Sequence, residues 1–481
     1  MNKEMNQKTF LILFVVIVII AFFMRFYMLD IKVLHHDEGV EQNIFIQPLL
    51  ESKGLVWDYD RKGLAYHFLS SIFINKLGLS TFSLRFTPAL FGSLTVLLLF
   101  FLKDYIGKVG VLFSSIFLAV SPIFIYYSRF YSAWPFFDFF LLLLLITVFK
   151  FIKKSSLDTL CLIFLLIAIL LNLILEAFII FIFIAFSYIY LNYLLDPNFR
   201  EEFWHFLKQI SVKELILGLF VLIAVFITIQ SSFFLQFSNI IKLTTVFSDL
   251  AKKAIESGHN KPFFYYFTIL YPFEIGLLLI SLVGLIFFKK DKISAFFIYW
   301  SLASLFIFSL ISYKTNWTLT VIIFPLFLLA GNTLDYLIKR FPRQNKKILI
   351  VALIFILLSL YFGIEQNYLS VNNFKVNKIG YVETSTDIYR LIQDIKDYEN
   401  LHKNAKILIN AQSYWPLPVY LNNFSVWYES LTETNKLELA NYPDYAIFIA
   451  NKDQLDKVAE NFETKEYELR QNYYLTVLYK K

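Results

Sequence analysis

Two histidines and two acids stand side by side in IKVLHHDEGVEQ, residues 31–42, just after an apolar run that ends near Tyr27. Four ionisable groups at the edge of an apolar segment are unfavourable unless they are solvated or put to use. The chemistry open to them is acid–base. The Asp37 carboxylate can take the proton of an acceptor hydroxyl while that oxygen attacks an electrophile such as a sugar's anomeric carbon. Glu38, His35 or His36 would then hold the acceptor or orient the base. A wet loop anchored at a membrane interface is the competing explanation, and two adjacent acids do not by themselves separate the two. Histidine and carboxylate are also metal ligands, but four consecutive side chains cannot all turn toward one ion. At most Asp37 or Glu38, with a histidine such as His36 or His259, would reach one. A divalent metal is therefore left open and no cofactor is assigned.

The same loop continues DYDRKGLAYHF. Arg61 and Lys62 would neutralise the phosphate of a lipid-linked leaving group, or equally meet anionic headgroups. Phosphate leaves without a dedicated general acid, so one base and a few cations suffice. Further polar residues punctuate apolar stretches: Arg85 in FSLRFTPAL, Arg129 in YYSRFYSAW, His259, Lys261 and Glu274 in SGHNKPFFYYFTILYPFE, and Lys314 in SYKTNW. Each alone fits an interface anchor set in an aromatic belt. Together they gather on the side that carries HHDE. Glu274, inside the hydrocarbon zone, is a functional candidate by default.

The elements that must position these residues are membrane helices. Of 481 residues, 58% are hydrophobic and 17% charged, with 56 Phe and 30 Tyr. A soluble chain of this size could not hide that much apolar surface. Eleven candidate spans run over residues 10–28, 87–102, 109–127, 134–151, 157–173, 177–195, 214–234, 271–288, 293–312, 318–336 and 348–365, each about long enough to cross ~30 Å of hydrocarbon. The first, behind Lys3 and Lys8, lacks a small-residue cleavage site and reads as a retained helix. With the N-terminus cytoplasmic, the inner loops collect Lys103 and Lys108, Lys150 to Lys154, Arg200 to Lys213, Lys289 to Lys292 and Lys339 to Lys347, as the positive-inside rule requires. The net charge of +7 belongs to those loops, with no basic aromatic face for nucleic acid. The lone Cys161 excludes a disulfide framework. Three longer outer pieces follow: 29–86, 235–270 and the tail from 366. In the first, VEQNIFIQPLLES and GLAYHFLSSIFINKLG read as short amphipathic surface helices. The expected domains are a membrane module, 1–365, and an extracytoplasmic α/β domain, 366–481. In the tail STDIYRLIQDIKDYEN and DQLDKVAENF read as helices, and AKILINA, YAIFIA and YYLTVLY as strands.

In order along the chain stand HHDEG, a helix led by KG, LRFTPALFG, SRFYSAW, HNKPFFYY, NWTLTVIIFPLFLLAG and YWPLPVYL. This series resembles the GT-C integral-membrane glycosyltransferases. More narrowly it is similar to family 39, which includes protein O-mannosyltransferases and the lipid A aminoarabinose transferase. The nearest likeness is to a prokaryotic subgroup labelled flippase-activity-associated, and it covers residues from about 10 to 430. The resemblance implies inverting transfer of a sugar from a polyprenyl-phosphate donor to a glycan, lipid or protein hydroxyl on the non-cytoplasmic face. It makes Asp37 the catalytic acid, with Glu38 its neighbour, and sets basic residues such as Arg61, Lys62, Arg129 and Lys314 toward the donor phosphate. His35, His36, His259 and Glu274 would shape the site. Many relatives carry an Asp six residues after the Ser of SRF. Here that place is Trp134, and Asp138 stands one helical turn later.

Two other classes compete with the enzyme. A lipid-linked sugar flippase or transporter would favour paired halves and midplane charges, whereas no internal duplication is evident here and the acids gather at the outer edge. A non-catalytic envelope-assembly scaffold would work through the tail, whose QSYWPLPVYL aromatics stack on sugars or serve as core. The topology is directly testable: a reporter active only outside the cytoplasm, fused to the C-terminus, should be active. An inactive reporter on a well-expressed fusion would place HHDE on the cytoplasmic side.

Overall fold

Apolar length dictates most of the architecture. The computed structural model describes residues 5–51, 63–242, 245, 252, 260–286, 292–373, 375–429, 437–455 and 461–481. Among them, eight helices are long and apolar enough to cross a membrane, or nine if the pair Tyr265–Phe273 and Ile275–Ile286, bent by 103°, forms one span. The continuous run Thr81–Val120 is one of the eight but holds two expected spans. Gly107 breaks it at φ 79°, ψ 159°, a backbone region open to glycine. The Gln7–Phe26 helix shows that the chain reverses there. Phe10 stacks on Phe100 at 5.8 Å and Met5 O accepts from Lys108 Nζ, while Arg25 at the other end reaches Leu118 O. Counting both limbs, the bent pair once and the shorter apolar helix Leu157–Leu171 recovers the eleven segments expected from sequence. The expected break near Asn172 falls between Leu157–Leu171 and Leu175–Leu195.

The chain divides into two compact units: Met1–Leu29 with Ser52–Leu369, and Asp30–Glu51 with Ser370–Lys481. In the first unit, the carbonyls where the Gln7–Phe26 helix ends are met by side chains from other helices. Tyr368 donates to Met24 O. Arg129 donates to Arg25 O at 3.2 Å and to Tyr27 O and Met28 O at 2.6 Å. Arg85 donates to Leu29 O at 3.3 Å. Arg25, fully buried, does the same for the Lys103–Val120 helix through Leu118 O and Ala119 O. Helix C-termini carry orphan carbonyls and a partial negative charge, so buried guanidinium groups suit them. The Leu319–Arg340 helix packs closely on Lys103–Val120. A Cβ at Gly331 would lie 2.3 Å from Gly110 O, and Ser114 donates to Phe327 O across the same contact. Gly110 and Ser114 form the small-residue pair, four apart, that lets apolar helices approach.

The second unit is a five-stranded sheet in the order β2-β1-β3-β5-β4. Its strands are β1 Lys406–Asn410, β2 Ser425–Tyr428, β3 Ile447–Ala450, β4 Phe462–Arg470 and β5 Tyr473–Lys480. β1 pairs with β2 and β3 in parallel, and β5 pairs with β3 and β4 antiparallel. Side chains alternate between faces. Ile407, Ile409, Ile447, Ile449 and Val477 join Ile388, Leu391, Ile392 and Ile395 of the Asp387–Leu401 helix, whose three- and four-residue spacing puts them on one face. Leu408, Phe448 and Leu478 fill the other side. The expected helix across 453–462 is described only as the 3-10 turn Lys452–Gln454; residues 456–460 lie outside the described residues.

Where the expected domain division attached residues 29–86 to the membrane module, residues 30–51 group with the tail. Val33 belongs to the sheet's core cluster. Lys32 pairs with Glu383 at 2.7 Å, and Leu34 N donates to Tyr420 Oη at 3.1 Å. The second amphipathic segment forms the Ala65–Leu77 helix of the first unit. Replacing Gly331 with alanine should destabilise the protein by roughly 1–3 kcal/mol through overpacking, read as a lowered unfolding midpoint in detergent. An unchanged midpoint would show that the two helices can part at no penalty.

Candidate active site

The local sequence at HHDE builds a helix start. The short helix His36–Glu41 is preceded by His35 in extended backbone, φ −74° and ψ 158°. His35 Nδ1 accepts from Asp37 N at 3.0 Å, and Glu38 Oε2 accepts from His35 N at 3.0 Å. This is a capping box with histidine in the place Ser or Thr usually takes. Because Nδ1 accepts, the ring hydrogen of neutral His35 sits on Nε2, which donates to Tyr381 O at 2.7 Å. Glu38 is fully buried. The Asp37 side chain is 37% exposed. Neighbouring acids thus have different fates: one is part of the backbone's hydrogen bonding, and the other faces outward with its carboxylate accessible.

The tail supplies the rest. Arg470 Nη2 donates to His36 Nδ1 at 2.6 Å and to Trp415 O at 3.0 Å, while Nη1 donates to Ser413 Oγ at 2.8 Å. His36 Nε2 lies 3.9 Å from Asp37 Oδ1. Burial lowers the Arg470 guanidinium pKa, opposed by Tyr473 and Asp37. Burial, and then the Asp37 charge, raise the Tyr381 phenol. Gly39 is required where the helix meets the Trp415–Pro416 turn, since a Cβ there would sit 2.7 Å from Pro416 Cβ. Arg470 and Tyr381 escaped sequence reasoning because they lie hundreds of residues from the loop and carry no periodic signal. The one pointer was YWPLPVYL, which includes Trp415 and Pro416.

The other described candidates lie in the first unit. Arg129 is buried and bonded to the three carbonyls named above. Lys314 is buried, its Nζ donating to Lys261 O at 3.3 Å and to Ile311 O. Glu274 is buried at the bend between Tyr265–Phe273 and Ile275–Ile286, where it accepts from Ser121 Oγ. Asp138 is buried one turn beyond buried Trp134 on the Trp134–Lys153 helix. It lies beside Thr320, whose hydroxyl donates instead to Trp317 O at 3.2 Å. Arg61, Lys62 and His259 lie outside the described residues. Among the described residues no three His, Cys, Asp or Glu converge as metal ligands.

Helix packing, sheet and site together define a multi-pass helical membrane protein with a small α/β unit. The solved structure of ArnT from Cupriavidus metallidurans bound to undecaprenyl phosphate matches with a TM-score of 0.65 at 12% identity, covering 98% of each chain. The apo state of the same protein matches with 0.64 at 13% identity, again over 98% of each chain. Arabinofuranosyltransferase AftD from Mycobacteria matches with 0.56 at 10% identity, over all of this chain and 40% of that one. No family model and no curated protein sequence matches. The fold is that of the GT-C membrane glycosyltransferases.

If Glu38 serves as the cap, Glu38→Ala should lower stability by about 1 kcal/mol. Glu38→Gln, which keeps an acceptor oxygen, should stay near wild type in the same denaturant titration. Equal loss in both variants would remove the capping role.

Proposed function

We propose that the protein is a membrane glycosyltransferase that moves a sugar from a polyprenyl-phosphate-linked donor to an acceptor hydroxyl of a glycan, lipid or protein, with Asp37 as general base. The observation that carries this reading is the accessible Asp37 carboxylate, held at a capped helix start beside two histidines, in a chain with the GT-C fold. One oxygen of Asp37 takes the hydroxyl proton as the acceptor oxygen forms its bond to the anomeric carbon. The bond from that carbon to the phosphate oxygen breaks, and the phosphate leaves with the electron pair. A single displacement of this kind inverts the anomeric configuration. The ArnT structure that shares the fold holds undecaprenyl phosphate, which supports a polyprenyl carrier here. Arg61 and Lys62 are the cations proposed to face that phosphate, on the non-cytoplasmic side, with family 39 chemistry as the finer expectation.

Asp37→Asn preserves shape and removes the base. Membranes carrying it, given a panel of radiolabelled polyprenyl-phosphate sugars, should transfer label roughly a hundred- to ten-thousandfold more slowly than wild type, with expression and unfolding midpoint unchanged. Full transfer by this variant would remove Asp37 as the base.

A further inference from the structure

We infer that Arg470, eleven residues from the end of the chain, is a positioning residue for Asp37 that acts by fixing the tautomer of His36; the inference rests on Asp37 serving as the base. A guanidinium has only donors. Its 2.6 Å contact with His36 Nδ1 therefore requires a lone pair on that nitrogen. The hydrogen of the neutral ring is then on Nε2, the nitrogen that faces Asp37 Oδ1 at 3.9 Å. His35 Nδ1, 3.8 Å from Asp37 Oδ2, already accepts from Asp37 N and has no hydrogen to offer there. The two carboxylate oxygens are thus made unequal. Oδ1 lies 3.9 Å from the ring nitrogen that carries the hydrogen, an electrostatic contact longer than a hydrogen bond, whereas Oδ2 is the oxygen nearer a ring nitrogen without one.

Arg470 is itself fixed in a way that suits this task. The β4–β5 ladder shifts register between Glu468 and Arg470, a bulge of the kind that re-aims a side chain. Ser385 N donates to Leu469 O at 2.8 Å beside it. The bonds to Ser413 Oγ and Trp415 O hold the guanidinium to the same turn that Gly39 packs against. Both partners of the His36–Arg470 contact are therefore referenced to one piece of backbone. Tyr473 and Asp37 are the further titratable groups acting on Arg470, and Tyr381 stands beside Asp37.

The test uses the full-length chain in lipid nanodiscs with isotope-labelled histidine, in which nitrogen shifts separate the tautomers and a His36→Gln sample assigns His36 among the six histidines. Wild type should show the hydrogen on Nε2. Arg470→Met should lose that preference, and Arg470→Lys, still a pure donor, should keep it. In transfer assays with the labelled donor panel, Arg470→Met should lower kcat by roughly ten- to a hundredfold with little change in donor KM, and Arg470→Lys should recover most of it. If Arg470→Met fails to fold, His36→Gln against His36→Ala replaces it: the amide keeps an acceptor and a donor and should retain the larger kcat. A wild-type hydrogen on Nδ1, a tautomer unmoved in Arg470→Met, or an unchanged kcat in these variants would overturn the inference. A wild-type chain that moves no label while the tautomers respond as expected would sink the transferase reading and leave the Arg470–His36 link standing.

Discussion

Every helix end leaves backbone groups without intrahelical partners, and away from water those groups must be met by side chains. That requirement sorts the charged residues of this protein. In the first unit the segment from Met24 to Leu29 leaves its helix with carbonyls that Tyr368, Arg129 and Arg85 take up. Arg25 closes the end of the Lys103–Val120 helix. The LRF and SRF stretches thus hold arginines that solvate backbone within the protein. In the second unit the same requirement at a helix N-terminus engages His35 and Glu38.

What is left over is informative. A carboxylate bonded to an amide at a buried cap has its lone pairs engaged, whereas Asp37, one position earlier, keeps an accessible side chain. Successive helical residues point about 100° apart, so adjacency in sequence places the two acids in different surroundings. The loop and the tail build one environment around Asp37: Tyr381 from the segment before the Asp387–Leu401 helix, Trp415 and Pro416 from the turn after β1, and Arg470 from the end of β4. A donor-only guanidinium on one ring nitrogen and an acid beside the other make His36 a directional group.

Legibility followed the physics of each signal. Spans were readable because about twenty apolar residues in a row have few alternatives, and the Asp387–Leu401 helix because its apolar residues recur at helical spacing. The reversal in Thr81–Val120 was readable as two apolar spans, 87–102 and 109–127, on either side of Lys103 and Lys108, and Gly107 makes the break between them, whereas the bend at Glu274 needed only one residue and has no long pattern. β1, β3 and β5 were visible as short apolar runs. β4, FETKEYELR, was missed because its charges hide a half-exposed edge strand, and β2 because four residues are too few to show a period. The capping box was missed because histidine stands where Ser, Thr, Asp or Asn is expected.

The sequence by itself determined that this chain crosses a membrane many times, carries an α/β tail, and sets a pair of acids beside two histidines after its first span. Composition, apolar length and periodicity are local properties and survive without coordinates. Only the tertiary structure decided that residues 30–51 belong with the tail, that Glu38 caps while Asp37 stays open, and that Arg470 meets His36. The first and last of these join groups hundreds of residues apart in the chain, which no local pattern records, and the cap, though local, puts histidine where the usual capping residues are expected.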